Sequence, residues 1–80
     1  MNAYALRIRG LEHLISLTAA RSELLAFPEV NDLLRAPGKE RFTVLYEGNR
    51  PDPAAWYSVV SEAGYPASPI GPVHATGEAA

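Results

Sequence analysis

Two stretches of the chain alternate apolar with polar or small residues, and this period of two is typical of β-strands with one buried face. The first stretch covers residues 4–9 and the second covers residues 41–47. In the second stretch, Phe42, Val44 and Tyr46 form the predicted inward set. Each stretch therefore predicts a strand that lies against a core.

A third stretch repeats its apolar residues every three or four positions, which is the period of an amphipathic helix. It covers residues 13–27. Pro28 ends this predicted helix, because a proline disfavours helical geometry in the residue before it. The apolar positions of the helix are Leu14, Leu17, Ala20, Leu24 and Phe27.

A second helix is predicted by its terminal signals as well as by its period. Asp52 is a predicted N-cap, and Pro53 follows at a position where proline is favoured. Gly64 predicts the end of the helix. The apolar positions between these signals are Ala54, Ala55, Trp56, Val59, Val60 and Ala63.

The remaining segments predict shorter strands. Residues 30–36 predict a strand in which the doublet Leu33-Leu34 leaves the inward register open. Pro37-Gly38 then favours a type II turn into the next strand. Three prolines among residues 66–72 exclude a central strand, so residues 67–74 form either a short edge strand or none.

The resulting order of elements is βαββαβ, which predicts an α+β, ferredoxin-like sandwich with one antiparallel sheet and both helices on one face. A chain of 80 residues has room for one core. We expect this domain to cover residues 1–74. Residues 75–80 are small or polar and predict a disordered C-terminal tail.

Composition excludes several classes of protein. Seven basic against nine acidic residues argue against a nucleic-acid binder held mainly by charge. The complete absence of cysteine excludes disulfides, thiol nucleophiles and cysteine-ligated metal sites. The apolar runs are short and the N-terminal residues lack a signal-peptide pattern, so we expect a cytoplasmic protein without a membrane association.

Several local patterns resemble the heavy-metal-associated (HMA) domain of copper chaperones and metal-pumping ATPases, over residues 6–67. Residues 6–10 resemble its first strand, and Leu11 follows where the family usually has methionine. Residues 27–30 resemble the Leu-Pro-Gly-Val that ends the first helix, with Glu29 in place of the glycine. Residues 63–65 are similar to its closing Gly-Tyr. Further matching core positions are Leu17, Ala20, Leu24, Val44, Tyr46, Trp56 and Val60.

The resemblance also identifies what the chain lacks. The family binds soft metal ions through two cysteines, and those two positions are His13 and Ser16 here. The family's thiolate chemistry is therefore not implied. His13, with Glu12 beside it, remains a candidate for weak binding of Zn or Cu(II), and no other cofactor is predicted. Arg35 also departs from the family, which has an apolar strand residue there.

The same topology serves other functions, which the residues disfavour. An RNA-recognition module displays aromatic residues on its open sheet face, whereas Tyr4, Phe42 and Tyr46 fall in the inward register. His13 and Ser16 have the residue types of a base and a nucleophile, but the sequence supplies no convincing acid to orient the histidine. We therefore predict no nucleic-acid partner and no enzyme.

The open face of the predicted sheet carries three arginines, Arg7, Arg9 and Arg41, with Leu45 as an apolar neighbour. A solvated face of mixed charge is one interpretation, because antiparallel sheets commonly leave one face in water. Clustered arginines next to an apolar residue are also typical of a protein-docking surface. The predicted function is a non-catalytic interaction or regulatory module with a protein partner. The alternative is a metal-binding or delivery protein that uses His13.

Overall fold

The computed structural model describes residues 2–48 and 50–73. His74 and the predicted disordered tail, residues 75–80, lie outside the described residues. Six elements follow one another in the predicted βαββαβ order. They are β1 (Asn2–Ile8), α1 (Leu14–Leu25), β2 (Val30–Arg35), β3 (Arg41–Tyr46), α2 (Pro53–Glu62) and β4 (Ala67–Val73).

The four strands form one sheet in the order β2-β3-β1-β4, with every neighbouring pair antiparallel. Both helices cover one face of this sheet, where α1 packs near β2, α2 packs near β4, and the helices contact each other. The predicted ferredoxin-like sandwich is confirmed. Neither helix in the described part of the chain is both long and apolar enough to cross a bilayer.

The core lies between the sheet and the two helices. Phe42, Val44 and Tyr46 are all buried, which confirms the predicted inward set of β3. Tyr4 faces the same side, with its ring centroid 6.1 Å from that of Trp56. The predicted inward register of Tyr4, Phe42 and Tyr46 is therefore confirmed. The largest fully buried side chains are Trp56, Phe42, Leu6, Ile8, Leu24, Leu33, Val44 and Val60.

The register of β2, which the sequence left open, is set by an irregularity in its pairing. Val30 pairs with Tyr46, but Asp32 is the next partner of Leu45, so Asn31 is an extra residue in the strand. This bulge turns Leu33 into the core, fully buried, while Leu34 lies on the open face with 41% of its surface exposed.

Leu14, the first of the apolar positions in the predicted helix, does not lie in the core. Leu14 is the first residue of α1 and is 74% exposed. Leu11, which precedes the helix, is buried in the core instead, and the inward line of α1 is Leu17, Ala20 and Leu24. The apolar period therefore describes the inward residues of α1 from Leu17 onward, whereas the first turn of α1 lies outside the core.

Other differences concern the ends of elements. Strand β1 begins at Asn2, because Asn2 and Ala3 still pair with β3. Helix α1 ends at Leu25, two residues earlier than predicted. The prolines of β4 are tolerated because β4 lies at the edge of the sheet, where missing N–H groups cost little.

The predicted start and end of α2 are both confirmed. The Oδ1 atom of Asp52 accepts a hydrogen bond from the backbone N–H of Ala55 at 3.3 Å, and Pro53 occupies the first turn. Gly64 has φ of +104°, the left-handed conformation in which glycine commonly terminates helices. This local chemistry fixes the helix that carries Trp56.

Candidate functional site

Two regions contain the residues predicted to carry function. One is the loop between β1 and α1, with Glu12 and His13. The other is the open sheet face, for which the sequence predicted Arg7, Arg9, Arg41 and Leu45.

The loop begins at Gly10 and ends at the N-cap of α1. Gly10 has φ of +87°, a left-handed conformation that favours glycine. His13 is the N-cap residue, yet its side chain makes no capping hydrogen bond. Glu12 and His13 are both exposed, and Ser16 is half-buried.

Arg35 ties the end of β2 to this loop. Its Nη2 atom donates a hydrogen bond to the backbone carbonyl of Leu11 at 3.0 Å, while its Cζ atom lies 5.4 Å from the centroid of the Phe42 ring. The guanidinium therefore satisfies a loop carbonyl and stacks on an aromatic face at the same time. Arg35, which departs from the family pattern, fits the strand because its charged end reaches the loop.

A cavity of about 170 Å³ lies beside Arg35. Its charged lining residues are Glu12, Arg35, Lys39 and Glu40, which provide two positive and two negative groups. This balance does not favour either sign of a charged ligand. The cavity carries no clear chemical preference.

The described residues contain no cluster of three or more histidine, cysteine, aspartate or glutamate side chains that could hold a metal ion. Glu12 and His13 thus lie next to each other without a third such group. Structural zinc sites use about four protein ligands. Any metal bound at His13 would take most of its remaining ligands from water.

On the open face, Arg7 of β1 and Arg41 of β3 are direct cross-strand partners. The neighbouring backbone bond runs from the N–H of Ile8 to the carbonyl of Glu40, so the Arg7–Arg41 pair is one that lacks mutual hydrogen bonds. Side chains are closest in such pairs, with their Cβ atoms about 5 Å apart. Both arginines are exposed.

Arg9 and Leu45 lie on either side of the Arg7–Arg41 pair. Arg9 lies just beyond β1, and its Nε atom is 3.8 Å from Oε1 of Glu40, so its charge is partly compensated. Leu45 lies four residues from Arg41 along β3 and is half-buried. The structure therefore brings Arg7 and Arg41 together, with Arg9 and Leu45 at either side.

Sequence reasoning missed two residues on this face. Ser68 of β4 is the partner of Arg7 on the side opposite Arg41, so Arg41, Arg7 and Ser68 form a row across three strands. Leu34 of β2 pairs with Thr43 and exposes an apolar surface. Neither could be assigned from the pattern, because Leu34 needed the β2 bulge and Ser68 needed the pairing of an edge strand.

Comparison with known proteins shows similarity in structure but not in sequence. Neither a protein-family profile nor a curated protein sequence matches the chain. A copper-binding domain from HMA7, a P-type ATPase, has a TM-score of 0.76 at 15% identity, and the match covers 92% of this chain and 100% of that one.

Two further solved structures have a similar fold. The N-terminal domain of a potential copper-translocating P-type ATPase from Bacillus subtilis has a TM-score of 0.75 at 16% identity, with 92% of each chain covered. The N-terminal domain of ZntA in its Zn(II) form has a TM-score of 0.75 at 15% identity, covering 91% of this chain and 97% of that one. At such identities the likeness is one of fold. The protein is thus a chain with the ferredoxin-like fold of HMA domains that contains no cysteine.

Proposed function

We propose that this protein is a non-catalytic interaction module whose open sheet face binds an acidic segment of a partner protein. The observation that carries the proposal is the direct pairing of Arg7 with Arg41. The docking face is defined here as Arg7, Arg41, Leu34, Leu45 and Ser68.

Like charges placed directly opposite each other on a sheet are destabilising. Within the described residues, neither Arg7 nor Arg41 makes an ion pair, whereas Arg9 pairs with Glu40 and Arg21 with Asp32. A carboxylate between the two guanidinium groups would relieve their repulsion and accept charge-assisted hydrogen bonds from both. The charge of this pair therefore favours an acidic partner.

The apolar part of the face favours a polypeptide over a small anion. Leu34 is 41% exposed, and Leu45 lies half-buried on the neighbouring strand. Protein interfaces combine an apolar centre with arginine and a polar rim. An acidic segment that also carries an apolar side chain would contact both parts.

The test is binding of an oligo-glutamate peptide, measured by fluorescence anisotropy at low salt. The wild type should bind it, and Arg7→Glu/Arg41→Glu should lose the binding, because close charge pairs dominate such encounters. Lys39→Glu/Arg50→Glu makes the same change in net charge at two residues that are not part of the docking face, and it should retain most of the affinity. Equal losses in both double variants would show that the proposal is wrong.

A second candidate function is weak metal binding by His13 with Glu12. It is favoured by one observation, namely that the imidazole of His13 is exposed and makes no capping hydrogen bond. The solved HMA domains that resemble this chain bind copper or zinc.

The cytoplasmic location stays a prediction.

A further inference from the structure

We infer that Arg21 and Asp32 close the free edge of the sheet at β2, and that without them this edge pairs with β2 of a second copy of the chain. The free edge of β2 consists of backbone groups, and its protection does not depend on the docking face proposed above.

Strand β2 lies at one end of the sheet, so among residues 2–48 and 50–73 no strand pairs with the side of β2 that faces away from β3. The backbone N–H of Ala36 donates to the carbonyl of Arg41, which fixes the alternation along the β2–β3 ladder. By that alternation, the N–H and C=O groups of Leu33 point away from β3 and toward the free edge. They are the central backbone groups that an added strand would use.

Both of these groups are already occupied by side chains. The Oδ1 atom of Asp32 accepts a hydrogen bond from the N–H of Leu33 at 2.7 Å. The Nε and Nη2 atoms of Arg21 donate to the carbonyl of Leu33 at 3.3 and 3.2 Å. An ion pair joins the two side chains, with Arg21 Nε 3.1 Å from Asp32 Oδ1.

This arrangement, the edge clamp of Arg21 and Asp32, spans two elements. Arg21 belongs to α1, which packs over β2, while Asp32 lies within the strand next to the bulge. Exposed edges are prone to pair with other chains, and proteins protect them with charges or prolines. The opposite edge, β4, carries Pro69 and Pro72, which lack N–H groups.

A second copy is compatible with the unclamped edge because the symmetric pairing of β2 with itself places no like charges opposite each other. In an antiparallel pair centred on Leu33, Asp32 of each copy lies opposite Leu34 of the other, and Asn31 lies opposite Arg35. No like charges then meet across the pair. The two Leu33 residues would exchange their free N–H and C=O groups.

The first experiment compares self-association of the wild type, Arg21→Met and Arg7→Met by sedimentation equilibrium. Methionine keeps the apolar stem of arginine, so the packing of α1 is preserved. The variant loses the hydrogen bonds to the Leu33 carbonyl and also the ion pair that holds the Asp32 carboxylate against the Leu33 N–H. The association constant for dimerisation of Arg21→Met should be at least about tenfold higher than that of the wild type. This corresponds to a free energy of dimerisation that is more favourable by about 1.4 kcal/mol. Arg7→Met, which removes an arginine from a central strand, should match the wild type.

A second pair of variants tests the predicted register of the dimer. In the Arg21→Met background, Leu34→Asp places a carboxylate opposite Asp32 of the second copy and should abolish the association. Leu34→Lys places a cation there and should retain it. The same oligomeric state for both would overturn the symmetric pairing.

A measurement on the wild type covers the case in which Arg21→Met does not fold. The amide protons of Leu33 and Arg35 both face the free edge, but only that of Leu33 is held by a side-chain oxygen in the described structure. After correction for intrinsic rates, the Leu33 amide should exchange with solvent more slowly than the Arg35 amide. Equal exchange, or a folded and monomeric Arg21→Met, would overturn the inference.

Discussion

The indole Nε1 of Trp56 donates a hydrogen bond to Oε2 of Glu29 at 3.1 Å, and this bond links α2 to the turn between α1 and β2. Trp56 is fully buried and is the largest side chain of the core. Its ring also lies 5.2 Å from that of Tyr46, centroid to centroid. Glu29, which stands where the family has glycine, thus supplies the acceptor that a buried indole requires.

Removal of this acceptor should destabilise the protein. Glu29→Ala leaves the buried N–H of Trp56 without its partner, and we expect a loss of about 1–3 kcal/mol in the free energy of unfolding. Glu29→Gln keeps an oxygen acceptor and should lose less. Urea denaturation, monitored by tryptophan fluorescence, measures the free energy of unfolding of both variants. Equal losses would indicate that the hydrogen bond to Trp56 does not contribute to stability.

The cap of α2 leads to a second prediction about stability. Asp52→Ala removes both the capping bond to the N–H of Ala55 and the favourable charge at the helix N-terminus, so it should cost about 0.5–2 kcal/mol. Asp52→Asn keeps a capping oxygen and should cost much less. Thermal melts of the two variants check this, and two neutral substitutions would contradict the described cap.

Repulsion between Arg7 and Arg41 should appear in a double-mutant cycle. Arg7→Glu converts the like-charge pair into an opposite-charge pair and should stabilise the fold by about 0.2–1 kcal/mol. Arg7→Glu/Arg41→Glu restores a like-charge pair and should return the stability to near the wild-type value. Chemical denaturation at low salt measures the four corners of the cycle. Additive effects would mean that the two side chains do not interact.

Metal binding should be weak and selective. With His13, Glu12 and water as ligands, we expect weak binding of Zn(II) or Cu(II) and no competitive binding of Cu(I), which prefers sulfur. The affinity should fall as the solution is made acidic, because a ligating imidazole must be neutral. Calorimetry of the wild type and His13→Ala checks this. Tight binding that His13→Ala abolishes would instead favour the metal-binding function.

Features that depend on local sequence were predictable. The alternation of Phe42, Val44 and Tyr46 needs only a strand with one buried face, and the Asp52-Pro53 start of α2 needs only its own neighbours. These patterns, with the order of elements, sufficed for the fold. They also placed Arg7 and Arg41 on one face.

Features that depend on contacts between distant residues were not predictable. The choice between Leu33 and Leu34 depended on a bulge, which has no unique sequence pattern. The bonds from Arg21 to Leu33 and from Trp56 to Glu29 join residues 12 and 27 positions apart. Helical periodicity leaves Arg21 off the apolar face of α1, but it cannot show that Arg21 reaches the edge of the sheet.

The proposed docking face can be tested most directly by nuclear magnetic resonance. An oligo-glutamate peptide is titrated into the labelled wild-type protein, and the amide shift changes are mapped onto the sequence. We expect the largest changes at Arg7, Arg41 and Ser68, with α1 and α2 unaffected. Changes confined to the helices or the Glu12-His13 loop, or no changes at all, would contradict it.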